Sequence, residues 1–320
     1  MRERDNIDRK NYELINEIGN QYPIVVLKYI NSLSSKTSYT KLVYIRYVTN
    51  FLKYRNCDYK NVKPMDIDEY MEYIKYSNNG KEKSATYRNA NLAAIKGFYK
   101  FLQMNNIMEF NPCDVIESPK DKSEHEITTI SKRDYRIIIK NIKNGVGNEK
   151  AKNTQKKWIS RDIALITLGL TTGLRISAIV GIDIDDINMK ENYISVNEKG
   201  NIDKKVYISN NTMDSLKKWM EDRNNMVDET ERALFICQGN HRISTRSVER
   251  KFNKITQGTS KHITPHKMRA TCATRLYEET GDIYLVQQQL GHKNIENTKR
   301  YAAVSERKKR EAASILDNLY

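Results

Sequence analysis

At 320 residues the chain is long for one compact core, and one or two domains are expected. Its 55 Lys and Arg against 40 Asp and Glu leave a net charge of +15, which calls for a polyanionic partner, either nucleic acid or an anionic membrane surface. A hydrophobic share of 38% excludes wholesale disorder, and with no run near the ~18 apolar residues of a membrane span and no apolar signal core, a soluble cytoplasmic protein is expected.

The first half reads as four short helices. Apolar residues recur every three or four positions over Tyr22–Leu33, Thr40–Tyr54, Asp66–Tyr76 and Ser84–Met104, a pattern that predicts a small helical bundle. Opposite the apolar stripes stand Lys41, Arg46, Lys53, Arg88, Lys96 and Lys100, read as either a solvated face or a face turned to DNA. Asn111-Pro112 and Ser118-Pro119 break helical continuity, and Lys120 to Glu126 is almost wholly polar. The expected division is therefore a first domain over 1–116, a linker over 117–127 and a second domain over 128–320.

A capping box at Ser131 and Asp134 opens the second half. Ser160–Thr172 predicts a strongly apolar helix ending at Gly173. Tyr193–Val196 and Val206–Ile208 predict two short strands with Lys199-Gly200-Asn201 in the turn, and Leu234–Ile236 another strand. Helical patterns return from Ser247 to the C-terminus. The fold class is thus mainly α, with a small antiparallel sheet in a mixed second domain. Cys57, Cys113, Cys237 and Cys272 form no CxxC pair and read as reduced thiols rather than zinc ligands or disulfides. The acidic cluster Asp183, Asp185, Asp186 alternates with Ile182, Ile184 and Ile187, as a half-buried strand edge or turn does, and is a weak metal candidate. No Walker loop, HExxH, GxSxG or EF-hand is present.

What remains is a series of basic segments: Thr172-Gly173-Leu174-Arg175, then Lys199 in a strand turn, then Pro265-His266-Lys267-Met268-Arg269, then Leu290-Gly291-His292 with Tyr301 nine residues on. Taken singly, each has an ordinary structural explanation. In this order they resemble the tyrosine recombinase (phage integrase) family, in its Xer-like or simple-integrase form. Glu198-Lys199-Gly200-Asn201 is similar to the family's hairpin lysine motif, and the Phe98–Leu102 run and Asn111-Pro112 are similar to its core-binding domain. Two positions depart from the pattern: Ala178 stands where an acidic residue is usual and Ala270 where His is frequent.

The resemblance implies a helical core-binding domain and a catalytic domain closing on duplex DNA, and a site of Arg175, Lys199, His266, Arg269, His292 and the nucleophile Tyr301. It implies strand breakage through a 3′-phosphotyrosyl link and a Holliday junction, without metal, ATP or other cofactor. The implied partner is double-stranded DNA bearing specific recombination sites, bound by a homo-tetramer, or by a hetero-oligomer with a paralogue, in the nucleoid-associated cytoplasm and away from membranes. A tail helix running from Glu306 to Tyr320 is expected to dock on its own domain or on a neighbouring protomer. Integration and excision of a mobile element is the first reading of the role. A Xer-type resolvase of chromosome or plasmid dimers is the alternative, and the lack of an added arm-binding domain suits either. From other classes, a type IB topoisomerase, a metal-dependent nuclease and a non-catalytic DNA-binding regulator remain as rivals.

Overall fold

The computed structural model describes residues 3–56, 58–76, 80–119, 127–198, 202–228, 230–292 and 294–302. The chain forms two compact units, 1–125 and 126–320. No helix among the described residues is long and apolar enough to cross a membrane.

The first unit contains α1 (Glu3–Gly19), α2 (Val25–Ser32), α3 (Ser38–Tyr54), α4 (Pro64–Tyr73) and α5 (Ala85–Met104). Helix α1 is the element that the apolar periodicity did not announce. Its sequence is strongly polar, and of its later positions Ile15 is fully buried. Thr37 and Ser84 start α3 and α5 by accepting the backbone N–H of Thr40 and Tyr87. The largely aliphatic core also holds aromatic pairs: Phe51 meets Tyr70 edge-on with ring centroids 5.1 Å apart, and Tyr29 meets Phe98 at 5.6 Å. Packing of α1 along α3 changes part of the expected basic face. Lys41 is buried with its ammonium over the Tyr12 ring, and Lys96 donates to the Ile116 carbonyl at 2.6 Å. Arg88 pairs with Glu82 at 3.2 Å, whereas Arg46, Lys53 and Lys100 are exposed.

The second unit contains α6 (Lys132–Asn144), α7 (Glu149–Lys156), α8 (Ile159–Thr172), α9 (Ile176–Gly181), strands β1 (Ile187–Asn188), β2 (Tyr193–Glu198) and β3 (Ile202–Tyr207), then α10 (Asn210–Asn224), α11 (Thr245–Ile255), α12 (Pro265–Thr280), α13 (Ile283–Leu290) and α14 (Glu296–Lys299). A single 3₁₀ turn, Arg300–Ala302, follows α14. Apolar α8 is central and packs against α6, α10 and α12. Gly169 permits the approach of α12, since a Cβ there would stand 2.7 Å from Met268 Sδ. The expected cap is present: Ser131 Oγ accepts from Asp134 N at 3.0 Å. The sheet is antiparallel in the order β1-β2-β3, with Ile194 opposite both Ile187 and Val206. Helix α7 escaped the sequence reading because none of its residues is buried, so it carries no apolar stripe.

One expectation changes. Leu234–Ile236 forms no strand; the segment makes isolated bridges only, Ala233 with Asp183 and Ile236 with Arg242. The run is fully buried; Phe235 O accepts from Ile243 N at 2.9 Å, and side chains satisfy the carbonyls on either side of it. Arg223 Nε donates to Ala233 O at 2.9 Å, Trp219 Nε1 to Leu234 O at 2.8 Å and Arg161 Nη1 to Ile236 O at 2.8 Å. The acidic cluster is a 3₁₀ turn, Ile184–Asp186, capped by Asp183 and Asp186; Asp183 pairs with Arg242 and Asp185 with Arg232. Removing one of the buried donors should expose the dependence on side-chain satisfaction. Arg223→Met should lower stability by about 2 kcal/mol, the usual cost of stranding a buried carbonyl. Urea unfolding measures this, and an unchanged midpoint would contradict it.

Candidate functional site

Five of the six residues singled out by sequence lie in the described part of the second unit; Lys199 lies outside the described residues, as do Cys57 and the expected tail helix over 306–320. Arg175 caps the N-terminus of α9 in an extended conformation and is exposed. Two residues earlier, Gly173 ends α8 at φ 66° in the left-handed region, where a Cβ would stand 2.8 Å from Leu290 Cδ2. The turn that presents Arg175 therefore requires glycine. His266 and Arg269 occupy the first turn and a half of α12, started by Pro265.

Arg269 is 3% exposed. Its Nη1 donates to Gly173 O and its Nη2 to Leu290 O, each at 2.7 Å. One guanidinium thus holds the C-terminal ends of α8 and α13 together. Beyond Leu290, Gly291 turns the chain in the left-handed region at φ 64°, and His292 follows. The ring of His292 stacks on Tyr301, with centroids 6.3 Å apart and planes 17° from parallel. Tyr301 lies in the 3₁₀ turn after α14, 6% exposed and packed with Ala270, Ala273, Val286 and Leu290.

Several neighbours in this cluster were not picked out by sequence. Thr298, fully buried, bonds His292 Nδ1 through its hydroxyl at 2.8 Å. A neutral ring that accepts there carries its proton on Nε2, the tautomer able to donate to an anion. Gln289 Nε2 donates to Thr172 O at 3.0 Å, and Gln287 Nε2 to His292 O at 2.9 Å. Amide side chains within an apolar stretch gave no pattern that could have marked them.

The electrostatics show how closely the groups are gathered. His292 is pushed down to about 4, first by desolvation and then by Arg269, Arg175, Arg300 and His266. His266 is lowered by desolvation and by Arg269, Lys267, Arg300 and Arg175. Residues from α9, α12, the loop after α13 and the turn at Tyr301 therefore share one strongly positive locality. Arg300 belongs to it and was missed because a basic residue in a basic chain attracts no notice.

The family model described as the phage integrase family matches residues 120–308. The chain belongs to that family. It is 31% identical over 213 residues to "Tyrosine recombinase XerC" of Vibrio vulnificus, a match spanning 66% of this chain and 63% of that protein, under two thirds of the relative's length. To the XerC of Leptospira interrogans it is 27% identical over 301 residues, 93% of this chain and 92% of that one. Its fold is similar to XerH recombinase bound to a difH substrate, with TM-score 0.72 and 18% identity over 97% of this chain and 89% of that one. It is likewise similar to the Tn1549 transposon integrase in complex with circular intermediate DNA, with TM-score 0.70 and 20% identity over 90% and 97% of the two chains. Family membership accords with the mainly helical second unit and its three-stranded sheet.

The lowered histidines fix a sign for the pH dependence of stability. The unfolded chain protonates histidine near ~6.5 while folded His292 resists to about 4, so the unfolded state binds more protons between these values. The stability contributed by neutral His292 is complete above about 6.5 and is lost as pH falls toward 4. His292→Asn should consequently lose less stability than wild type between pH 7 and 4.5, measured by urea midpoints. Parallel pH profiles for the two proteins would refute the assignment.

Proposed function

We propose that the protein is a site-specific DNA recombinase that breaks and rejoins strands through Tyr301. The observation that carries this reading is the meeting of a tyrosine, two histidines and two arginines from distant segments around one positive locality. Such a locality suits a phosphodiester, whose charge in the transition state must be stabilised without reorganisation. Tyr301 Oη attacks phosphorus as the bond to the 5′-oxygen breaks, leaving a 3′-phosphotyrosyl link that conserves the energy of the bond. Arg175 and Arg269 serve the non-bridging oxygens, a task for which planar guanidinium suits better than ammonium. His266 takes the tyrosine proton; its lowered pKa keeps the ring unprotonated at neutral pH, the form a base requires. His292 donates from Nε2 to the scissile phosphate. Lys199 protonates the departing 5′-oxygen. Rejoining runs these steps backwards with the 5′-hydroxyl of another strand.

The substrate in this reading is double-stranded DNA with specific sites, bound by a tetramer through the basic first unit and the second unit together, in the cytoplasm at the nucleoid. For biological role we infer integration or excision of a mobile element, with Xer-type dimer resolution as the alternative supported by the XerC likeness. Sequencing the DNA beside the gene separates them, because an adjacent attachment repeat belongs to an integrating element.

Tyr301→Phe should abolish covalent protein–DNA adducts on a nicked duplex made from that flanking DNA while leaving affinity nearly intact, since one hydroxyl adds little to a phosphate-dominated interface. An adduct formed by Tyr301→Phe would overturn the nucleophile. Arg175→Ala should slow adduct formation at least ~10²-fold, comparable to losing one preorganised oxyanion donor, with Lys recovering only part. Normal cleavage by Arg175→Ala would make that residue structural. A 5′-bridging phosphorothiolate, whose thiolate leaves unprotonated, should rescue Lys199→Ala but not Arg175→Ala. Failure of that rescue would remove Lys199 as the acid.

A further inference from the structure

Lys204 lies on β3 opposite Val196 of β2 and is half-buried. Its ammonium donates to the carbonyl oxygens of Gln288 and, at 3.0 Å, Gln289. These belong to the last turn of α13, where carbonyls lack intrahelical partners and the helix dipole presents its negative end. The next carbonyl, Leu290 O, is taken by Arg269. Three consecutive carbonyls at the end of α13 are therefore held by two cations from two other elements. The two residues beyond them are Gly291 and His292, whose backbone N–H groups donate to Gln288 O and Gln287 O at 3.1 Å each. Gln288 O thus receives both the Lys204 ammonium and the Gly291 amide.

We propose that Lys204 is a positioning residue: by capping α13 it locks the Gly291-His292 turn to strand β3. The strand begins at Ile202, three residues after Lys199 in the chain, so the cap links the histidine turn to the strand that follows the lysine motif in sequence. Lys204 acts here through carbonyl oxygens and does not act on the leaving atom. The role rests on the recombinase reading above, whereas the cap itself does not.

The test uses the full chain in two arms. In hydrogen exchange without DNA, Lys204→Met should speed exchange at Gly291 and His292 by about 10-fold, the size expected for a lost charge-assisted cap, with α6 and α8 unchanged. Lys204→Arg should restore the protection, because it can still donate to carbonyls. In the second arm, Lys204→Met should slow adduct formation by about 10-fold on the nicked duplex, equally with oxygen and with bridging sulfur as leaving atom. Unchanged exchange in Lys204→Met, or no recovery in Lys204→Arg, would overturn the cap. Selective rescue by sulfur would make Lys204 a leaving-group acid and overturn the positioning role. If wild type forms no adduct, the recombinase reading and the role in cleavage fall together, while the exchange arm still decides the cap.

Discussion

The geometry of the second unit depends on the fork of Arg269. Burying a guanidinium is costly unless its donors are matched, and here two of its five N–H groups meet Gly173 O and Leu290 O. Both acceptors lie at helix C-termini, where unpaired carbonyls gather negative partial charge. One side chain thereby settles two needs at once: its own buried donors are met, and the ends of α8 and α13 are pinned. Each pinned end leads at once into a glycine in the left-handed region and then, within two residues, into a residue of the proposed site, Arg175 on one side and His292 on the other. An arginine counted among groups for phosphate is thus also the staple on which the placement of its neighbours depends.

The same concentration of cations explains the state of the histidines. Arg175, Arg269 and Arg300 all bear on His266 and His292, and each of them lowers both rings. Proton uptake by either ring is therefore opposed. A phosphodiester entering the locality would reverse this, because its negative charge favours protonated or proton-donating imidazole. Coupling between anion binding and histidine protonation follows from Coulomb attraction alone, without any movement of the backbone.

Elsewhere the second unit satisfies its backbone in an unexpected way. A fully buried apolar run, Ala233–Ile236, would ordinarily join a sheet. Among the described residues it makes only two such backbone bonds, Leu234 N to Ile182 O and Ile243 N to Phe235 O, and its other carbonyls are served by Trp219, Arg223 and Arg161. Arg161 is itself balanced by Asp162, which also holds Lys251 at 2.6 Å. Such a segment looks like a strand by composition, since hydrophobicity reports burial and not the identity of the hydrogen-bond partner.

The sequence by itself determined the residue types of the site, the apolar stripes of α3, α5 and α8, the cap at Ser131, the β2–β3 hairpin and the positive charge, because these depend on local spacing or on simple counting. The order of TGLR, HKMR and LGH with a following tyrosine was legible for the same reason. Only the tertiary structure decided what those residues touch. Gly173 and Arg269 are 96 positions apart, and Lys204 and Gln289 are 85 apart, so no local pattern pairs them. It also decided that Lys41 is buried, that α1 and α7 are helices despite weak apolar periodicity, and that Thr298 holds a histidine ring. The burial of Lys41 is set by the surface that packs opposite it, α1, which lies in another part of the chain.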